Sequence, residues 1–214
     1  MAFNGNHFTK TFGLQVPIVQ GPMGGVAGPE LVAAVADAGG LGMLPVWAET
    51  LESAGHRIDA TRALTAGPFG VNLRADLMQV DHITTCLEKG VPIIHLFWGD
   101  PGPVMREVRR AGLADFKLMV TVGDADAARA ALDAGADALI AQGVEAGGHV
   151  LSEMTLDSLL AAVLPLAGDV PVIAAGGLAN AEDVSRVMSM GAAGALLGTR
   201  FAATIESRAH DGYK

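Results

Sequence analysis

The chain has 214 residues, half of them apolar and 17% charged, with a positive mean hydropathy, a balance that specifies one packed domain and excludes a disordered chain. Its net charge of -9, with Lys and Arg scattered along the sequence, leaves no electrostatic footprint for nucleic acid. The first ten residues contain no apolar run and Cys86 is the one cysteine, so no signal peptide, no membrane span and no internal disulfide are expected, and a cytoplasmic protein follows.

In chain order, the first apolar run covers residues 16–20, and others follow at 41–46, 69–73, 91–98, 116–122, 138–142, 170–175 and 195–198. None alternates clearly between apolar and polar, which suits strands buried on both faces. Helix-like segments lie between them, and Gly39, Gly67, Gly90, Gly112, Gly135, Gly168 and Gly191 stand where helix C-caps are needed. Several of these glycines recur at about 23 residues, the length of one helix, one strand and two short loops. Asn180, three residues before Asp183, reads as an N-cap, and the alanine-rich segment 124–134 reads as a surface helix ending at Gly135. Cys86 falls in such a helix and reads as a small buried hydrophobe. Eight near-equal units in one domain, residues 1–214, favour a closed parallel (β/α)8 barrel of the TIM type over a doubly wound open sheet.

Chemistry in such a barrel sits at the carboxyl ends of the strands. That filter keeps Gln20-Gly21-Pro22-Met23, Asn72, Thr121, Gln142 to His149, Gly176-Gly177 and Gly198-Thr199, and it assigns Lys117 to the opposite rim as a solvated charge. Small residues at two neighbouring strand ends let bare backbone N–H groups approach phosphate oxygens, although a Gly-Gly pair can also simply make a tight turn. Gly147-Gly148-His149 combines a backbone able to pass a flat ring with a side chain able to carry a proton near neutral pH. Of the other histidines, His7 and His210 are near the ends, His56 and His82 read as surface groups, and His95 reads as a core residue in preference to a pocket wall. Trp98 reads as a rim seal in preference to a substrate platform. No cluster has metal-ligand spacing, so no metal is expected.

Pro17-Ile18-Val19-Gln20-Gly21-Pro22-Met23, Gln142-Gly143-Val144-Glu145-Ala146-Gly147-Gly148-His149, Ala174-Ala175-Gly176-Gly177-Leu178 and Gly198-Thr199-Arg200-Phe201 together resemble the nitronate monooxygenase family, formerly the 2-nitropropane dioxygenases. The resemblance runs over nearly the whole chain, and FMN-dependent enoyl-acyl-carrier-protein reductases share much of it. It implies FMN as cofactor, a nitronate or nitroalkane as substrate and O2 as oxidant. It implies further that Pro22, Met23 and Gly24 back the flavin, that Asn72 and Gln142 hydrogen-bond to it, and that Gly147 and Gly148 pass beside it. Gly176, Gly177, Gly198 and Thr199 then hold the phosphate, and His149 takes a proton or positions the substrate. Thr121 stands where some members have a lysine. Members also continue past the equivalent of Lys214 with helices that cover the substrate and close the barrel, for which residues 206–214 are too short. The expectation is therefore a barrel lacking that C-terminal portion: either its outer faces at strands eight and one are covered in a homo-oligomer or by another chain, or the sequence is an abridged form. The rival expectations are an enoyl-thioester reductase using NAD(P)H, a flavin-binding protein without turnover and, last, a flavin-free phosphate-binding barrel.

Overall fold

The computed structural model describes residues 5–214. Eight strands run along it: β1 Ile18–Gln20, β2 Gly42–Pro45, β3 Phe69–Arg74, β4 Ile93–Phe97, β5 Lys117–Val122, β6 Ala138–Gln142, β7 Val172–Ala175 and β8 Gly194–Leu197. All pair in parallel in the order β1-β8-β7-β6-β5-β4-β3-β2. A single parallel bridge between Val19 and Leu41 joins the two ends of that order. Because β1 is only three residues long, the seam needs other donors and acceptors, and the Gln20 amide supplies them. Its Nε2 donates to the Met43 carbonyl at 3.3 Å and its Oε1 accepts from the Met43 N–H at 3.2 Å, so a side chain stands in for a ladder rung at the closure of the barrel.

Val19, Met43, Ile93, Met119, Ile140 and Ile173 fill the barrel, and Phe8 and Phe12 of α1 (His7–Phe12) pack into the same cluster. This helix lay outside the expected elements, although Asn6 as N-cap, Phe8 and Phe12 four apart and Gly13 as a left-handed stop are its ordinary signals. The outer layer comprises α2 Pro29–Asp37, α3 Leu51–Leu64, α4 Val80–Glu88, α5 Pro101–Arg110, α6 Ala125–Asp133, α7 Leu156–Ala167, α8 Ala181–Ser189 and the short α9 Thr199–Ala202. Asn180 forms a reciprocal capping box with Asp183 at the start of α8, and the Asp124 carboxylate accepts from the Ala127 N–H at 2.7 Å at the start of α6.

Gly39, Gly90, Gly112, Gly135, Gly168 and Gly191 all adopt positive φ after their helices. Gly67 does not, because α3 ends at Leu64 with Thr65 extended as its cap. A Cβ at Gly67 would lie 3.1 Å from the Ala36 side chain and carbonyl, so this glycine permits α2 to approach and does not cap α3. Outside β1, a groove of about 270 Å³ is lined by Val16, Ile18, Leu31, Val35 and Phe201 among others. Among the described residues, no helix is long and apolar enough to cross a membrane.

Candidate functional site at the carboxyl rim

Ala175 of β7 lies opposite Leu196 of β8, so Gly176-Gly177 and Gly198-Thr199 leave neighbouring strands side by side on one rim. Gly176 and Gly177 have φ of 115° and 68°, a turn that only glycine makes without strain. Among the described residues, none of the amide N–H groups of Gly176, Gly177, Gly198 and Thr199 donates to a backbone acceptor. For Thr199 this is the rule at a helix start, where the first-turn donors have no intrahelical partner. A Cβ at Gly198 would meet only the Met23 sulfur, at 3.7 Å. The cradle therefore opens toward the loop after β1, where Pro22 is half-buried and Gly24 exposed, and its free donors suit an anionic oxygen cluster.

The loop after β6 is pinned at both ends. The Glu145 carboxylate accepts from the Leu156 N–H at 2.9 and 3.1 Å, which caps α7, and Val144 N–H donates to the Met154 carbonyl at 2.9 Å. Gln142 spans the interior of the loop, donating from Nε2 to the His149 carbonyl at 3.2 Å and accepting at Oε1 from the Leu151 N–H at 3.2 Å. Gln142 thus fixes where His149 stands, a task beyond the flavin contact that the resemblance implies. Cβ atoms at Gly147 or Gly148 would meet nothing within 4 Å, so this stretch borders open space.

The His149 ring is exposed, and it meets Trp98 edge-on at 5.7 Å between centroids and Phe97 at 6.4 Å. Trp98 holds a left-handed φ of 61°, a strained position for a bulky residue of the kind that collects at functional sites. The Asp76 N–H donates to the Trp98 carbonyl at 3.0 Å and holds it there. Arg74, paired with Asp76 at 2.6 and 3.0 Å, lies 5.4 Å from the Trp47 ring and 5.8 Å from Trp98. Trp47, Arg74, Trp98 and His149 therefore form one continuous wall. The sequence marks His149 for this wall but Trp98 only for sealing the rim, and it gives no sign of Trp47, Arg74 or the capping role of Glu145, since their contacts join separate loops.

Below the wall, Asn72, His95 and Thr121 are all buried. Asn72 Nδ2 lies 3.2 Å from His95 Nδ1, and His95 Nε2 lies 2.7 Å from Thr121 Oγ1. Burial pushes the imidazole pKa down to about 3, so the ring is neutral at physiological pH. His95 is thus a satisfied core residue, and it links two of the residues expected at the flavin. Cys86 sits in the outer core with its thiol pushed up by burial to about 12, which removes it as a nucleophile. His56 is exposed, whereas His82 is half-buried, with Nε2 2.9 Å from the Glu49 carbonyl. Among the described residues, no group of His, Cys, Asp and Glu converges as a metal set.

Fold and rim together define a parallel β/α barrel whose open end joins a cradle of bare amides to a histidine set in an aromatic wall. The family model for nitronate monooxygenase matches residues 6–92 and 78–214, and the chain belongs to this family. It is 38% identical over 210 residues to (3aS,4S,5R,7aS)-5-hydroxy-7a-methyl-1-oxo-octahydro-1H-indene-4-carboxyl-CoA dehydrogenase of Rhodococcus jostii, covering 96% of this chain and 57% of that protein. It is 32% identical over 253 residues to nitronate monooxygenase of Paraburkholderia phytofirmans, covering 94% of this chain and 67% of that protein. Among solved structures, FabK of Thermotoga maritima superposes with a TM-score of 0.85 at 34% identity, over 95% of this chain and 64% of that one. The chain therefore spans between about half and two thirds of the length of these relatives. Both named activities, dehydrogenase and monooxygenase, are oxidoreductions.

Proposed function

We propose that the chain holds FMN at the carboxyl rim and serves oxidation of nitronates or nitroalkanes, with O2 as the terminal oxidant. The observation that carries this reading is the placement of four free amides, at Gly176, Gly177, Gly198 and Thr199, on the same rim as an exposed, unclamped imidazole at His149. The residues fit the cofactor. The amides offer donors for a phosphate beside Gly198, whose side without a Cβ faces only the Met23 sulfur, and Asn72 and Thr121 offer polar atoms from the inside of the barrel. In this reading Pro22, Met23 and Gly24 back the flavin from the loop after β1, supported by the Met23 sulfur next to Gly198, and Gly147 and Gly148 pass beside it from the loop after β6, supported by the open space around both.

Bound there, the flavin supplies the two-electron chemistry that side chains lack. His149 supplies the proton chemistry. As a neutral base it takes the proton from the carbon beside a nitro group, and as an imidazolium it orients the nitronate anion. Edge contacts from Trp98 and Phe97 fix the ring plane, and among the described residues no side chain hydrogen-bonds the imidazole nitrogens, so they remain available to substrate.

A thioester substrate is the second reading, supported by the 38% identity to a carboxyl-CoA dehydrogenase. The test is a visible spectrum of the purified full-length protein, followed by anaerobic titration with a nitronate and then NADPH. A flavin spectrum bleached by nitronate supports the first reading. Bleaching by NADPH alone favours a thioester reductase, a flavin bleached by neither marks a protein without turnover, and colourless protein that takes up no FMN refutes both readings.

A further inference from the structure

The buried line from Asn72 through His95 to Thr121 has a direction that its surroundings fix. The nitrogen of the Asn72 amide can be told from its oxygen because the Leu73 carbonyl at 3.4 Å and the His95 carbonyl at 3.5 Å both face it, and only an N–H is compatible with two acceptors. The same nitrogen faces His95 Nδ1 at 3.2 Å, so Nδ1 accepts and carries no proton. A neutral ring must then be protonated at Nε2, which donates to Thr121 Oγ1 at 2.7 Å. Burial keeps the ring in the neutral form that this scheme needs.

Two groups are left over once these bonds are made. Asn72 Oδ1 has no hydrogen-bond donor among the described residues, yet it is not sealed from solvent, since Arg57 Nε is the buried side-chain atom without a partner. It sits on the inner face of β3, since Val71 and Leu73 on either side of Asn72 pack into the outer core. The Thr121 hydroxyl oxygen is engaged as an acceptor, so its own hydrogen is free. Asn72 lies opposite His95 in the β3–β4 register, and Asn72, His95 and Thr121 alternate with Leu73, Leu96 and Val120, which pack into the outer core, so all three face the inside of the barrel. An acceptor and a donor are thus presented side by side from β3 and β5, with the imidazole of β4 between them.

We propose that His95 is a positioning residue: protonated at Nε2 alone, it locks Asn72 as an acceptor and Thr121 as a donor toward a planar heterocycle that offers one N–H and one acceptor on the same edge. The proposal rests on the flavin reading for the identity of that ring, since the flavin pyrimidine edge has this pattern, but the locked polarity belongs to the chain itself. A ring with the reverse pattern sets an acceptor against Asn72 Oδ1 and binds more weakly.

The test has two arms. Ring-nitrogen NMR of histidine-labelled apoprotein is expected to show His95 with its proton on Nε2 and a bare Nδ1 throughout about pH 5 to 8; a proton on Nδ1, or a doubly protonated ring, overturns the proposal. In the second arm FMN binding is titrated against the variants. His95→Leu frees the Asn72 amide to turn and Thr121→Val removes the donor, and each is expected to weaken FMN binding roughly tenfold to hundredfold, the range for leaving a buried polar partner unmatched. His95→Gln, which offers an acceptor and a donor on one amide, is expected to recover part of the loss. Wild-type affinity in both His95→Leu and Thr121→Val overturns the positioning role. Native protein that shows the expected tautomer but binds no FMN refutes the flavin reading while leaving the polarity of the floor established.

Discussion

Replacing Gly198 with alanine separates a binding role for the rim from a folding role. Gly198 has φ of -105° and ψ of -77°, on the right-handed side of the map and away from the positive φ that favours glycine, and the new Cβ would meet only the Met23 sulfur at an ordinary 3.7 Å. Stability should therefore change by no more than about 0.5 kcal/mol, as for surface substitutions without a clash or a lost bond. The methyl group is added next to one of the four cradle amides, whose nitrogens phosphate oxygens must approach to about 2.9 Å. Hydrogen bonds to a charged group are worth about 1.5–3 kcal/mol each, and displacing one of them costs about that much. At about 1.4 kcal/mol per decade this is a loss of roughly tenfold to hundredfold in FMN affinity. The assay pairs a thermal melt of apoprotein with a fluorescence titration of FMN. Unchanged FMN affinity would refute the phosphate cradle, and a large drop in melting temperature would refute the packing on which the argument depends.

Further outcomes follow from the same geometry. His149→Ala should leave folding and FMN retention intact, because the ring is exposed, while slowing neutral nitroalkanes about 10²–10⁴-fold, the usual worth of a general base, and nitronates less; equal loss on both in steady-state kinetics would remove proton abstraction from its role. Since the His95 pKa is depressed to about 3, the unfolded chain binds the extra proton first as pH falls. Stability is full above the unfolded pKa of about 6.5 and declines steadily toward pH 3, and urea titrations of His95→Gln should show a shallower acid decline. Gly42→Ala should fail to fold, because a Cβ there would overlap the Val32 carbonyl of α2; a soluble variant with a native far-UV spectrum would contradict this. Cys86 should resist thiol reagents in the native state at neutral pH, since burial raises its pKa to about 12, and rapid labelling would show that α4 opens readily.

The strands were legible because a parallel barrel strand is buried on both faces and leaves an uninterrupted apolar run, as in 69–73 and 138–142. The helix stops were legible wherever the cap needs a left-handed residue, and the reading failed at Gly67, where the same residue type serves close packing against Ala36. Gly176, Gly177, Gly198 and His149 could be placed because rim positions follow from strand ends. What lay out of reach was pairing across the sheet. The His95–Thr121 bond joins β4 to β5 over 26 residues, and Gln20 completes a seam with Met43, contacts that depend on register and leave no trace in local spacing. Trp47, Arg74 and Trp98 became a wall only when three loops met. Gln142 was read for its chemistry, whereas the fold uses its amide to hold the loop that carries His149.

The central claim is that amides from two adjacent strand tips hold the phosphate of a flavin beside His149, and a crystal structure of the full-length protein soaked or copurified with FMN tests it most directly. The phosphate is expected against the N–H groups of Gly176, Gly177, Gly198 and Thr199, with the ring above Asn72 and Thr121 and within reach of the His149 imidazole. A flavin seated elsewhere, or a phosphate held by side-chain cations away from these four residues, would contradict the account.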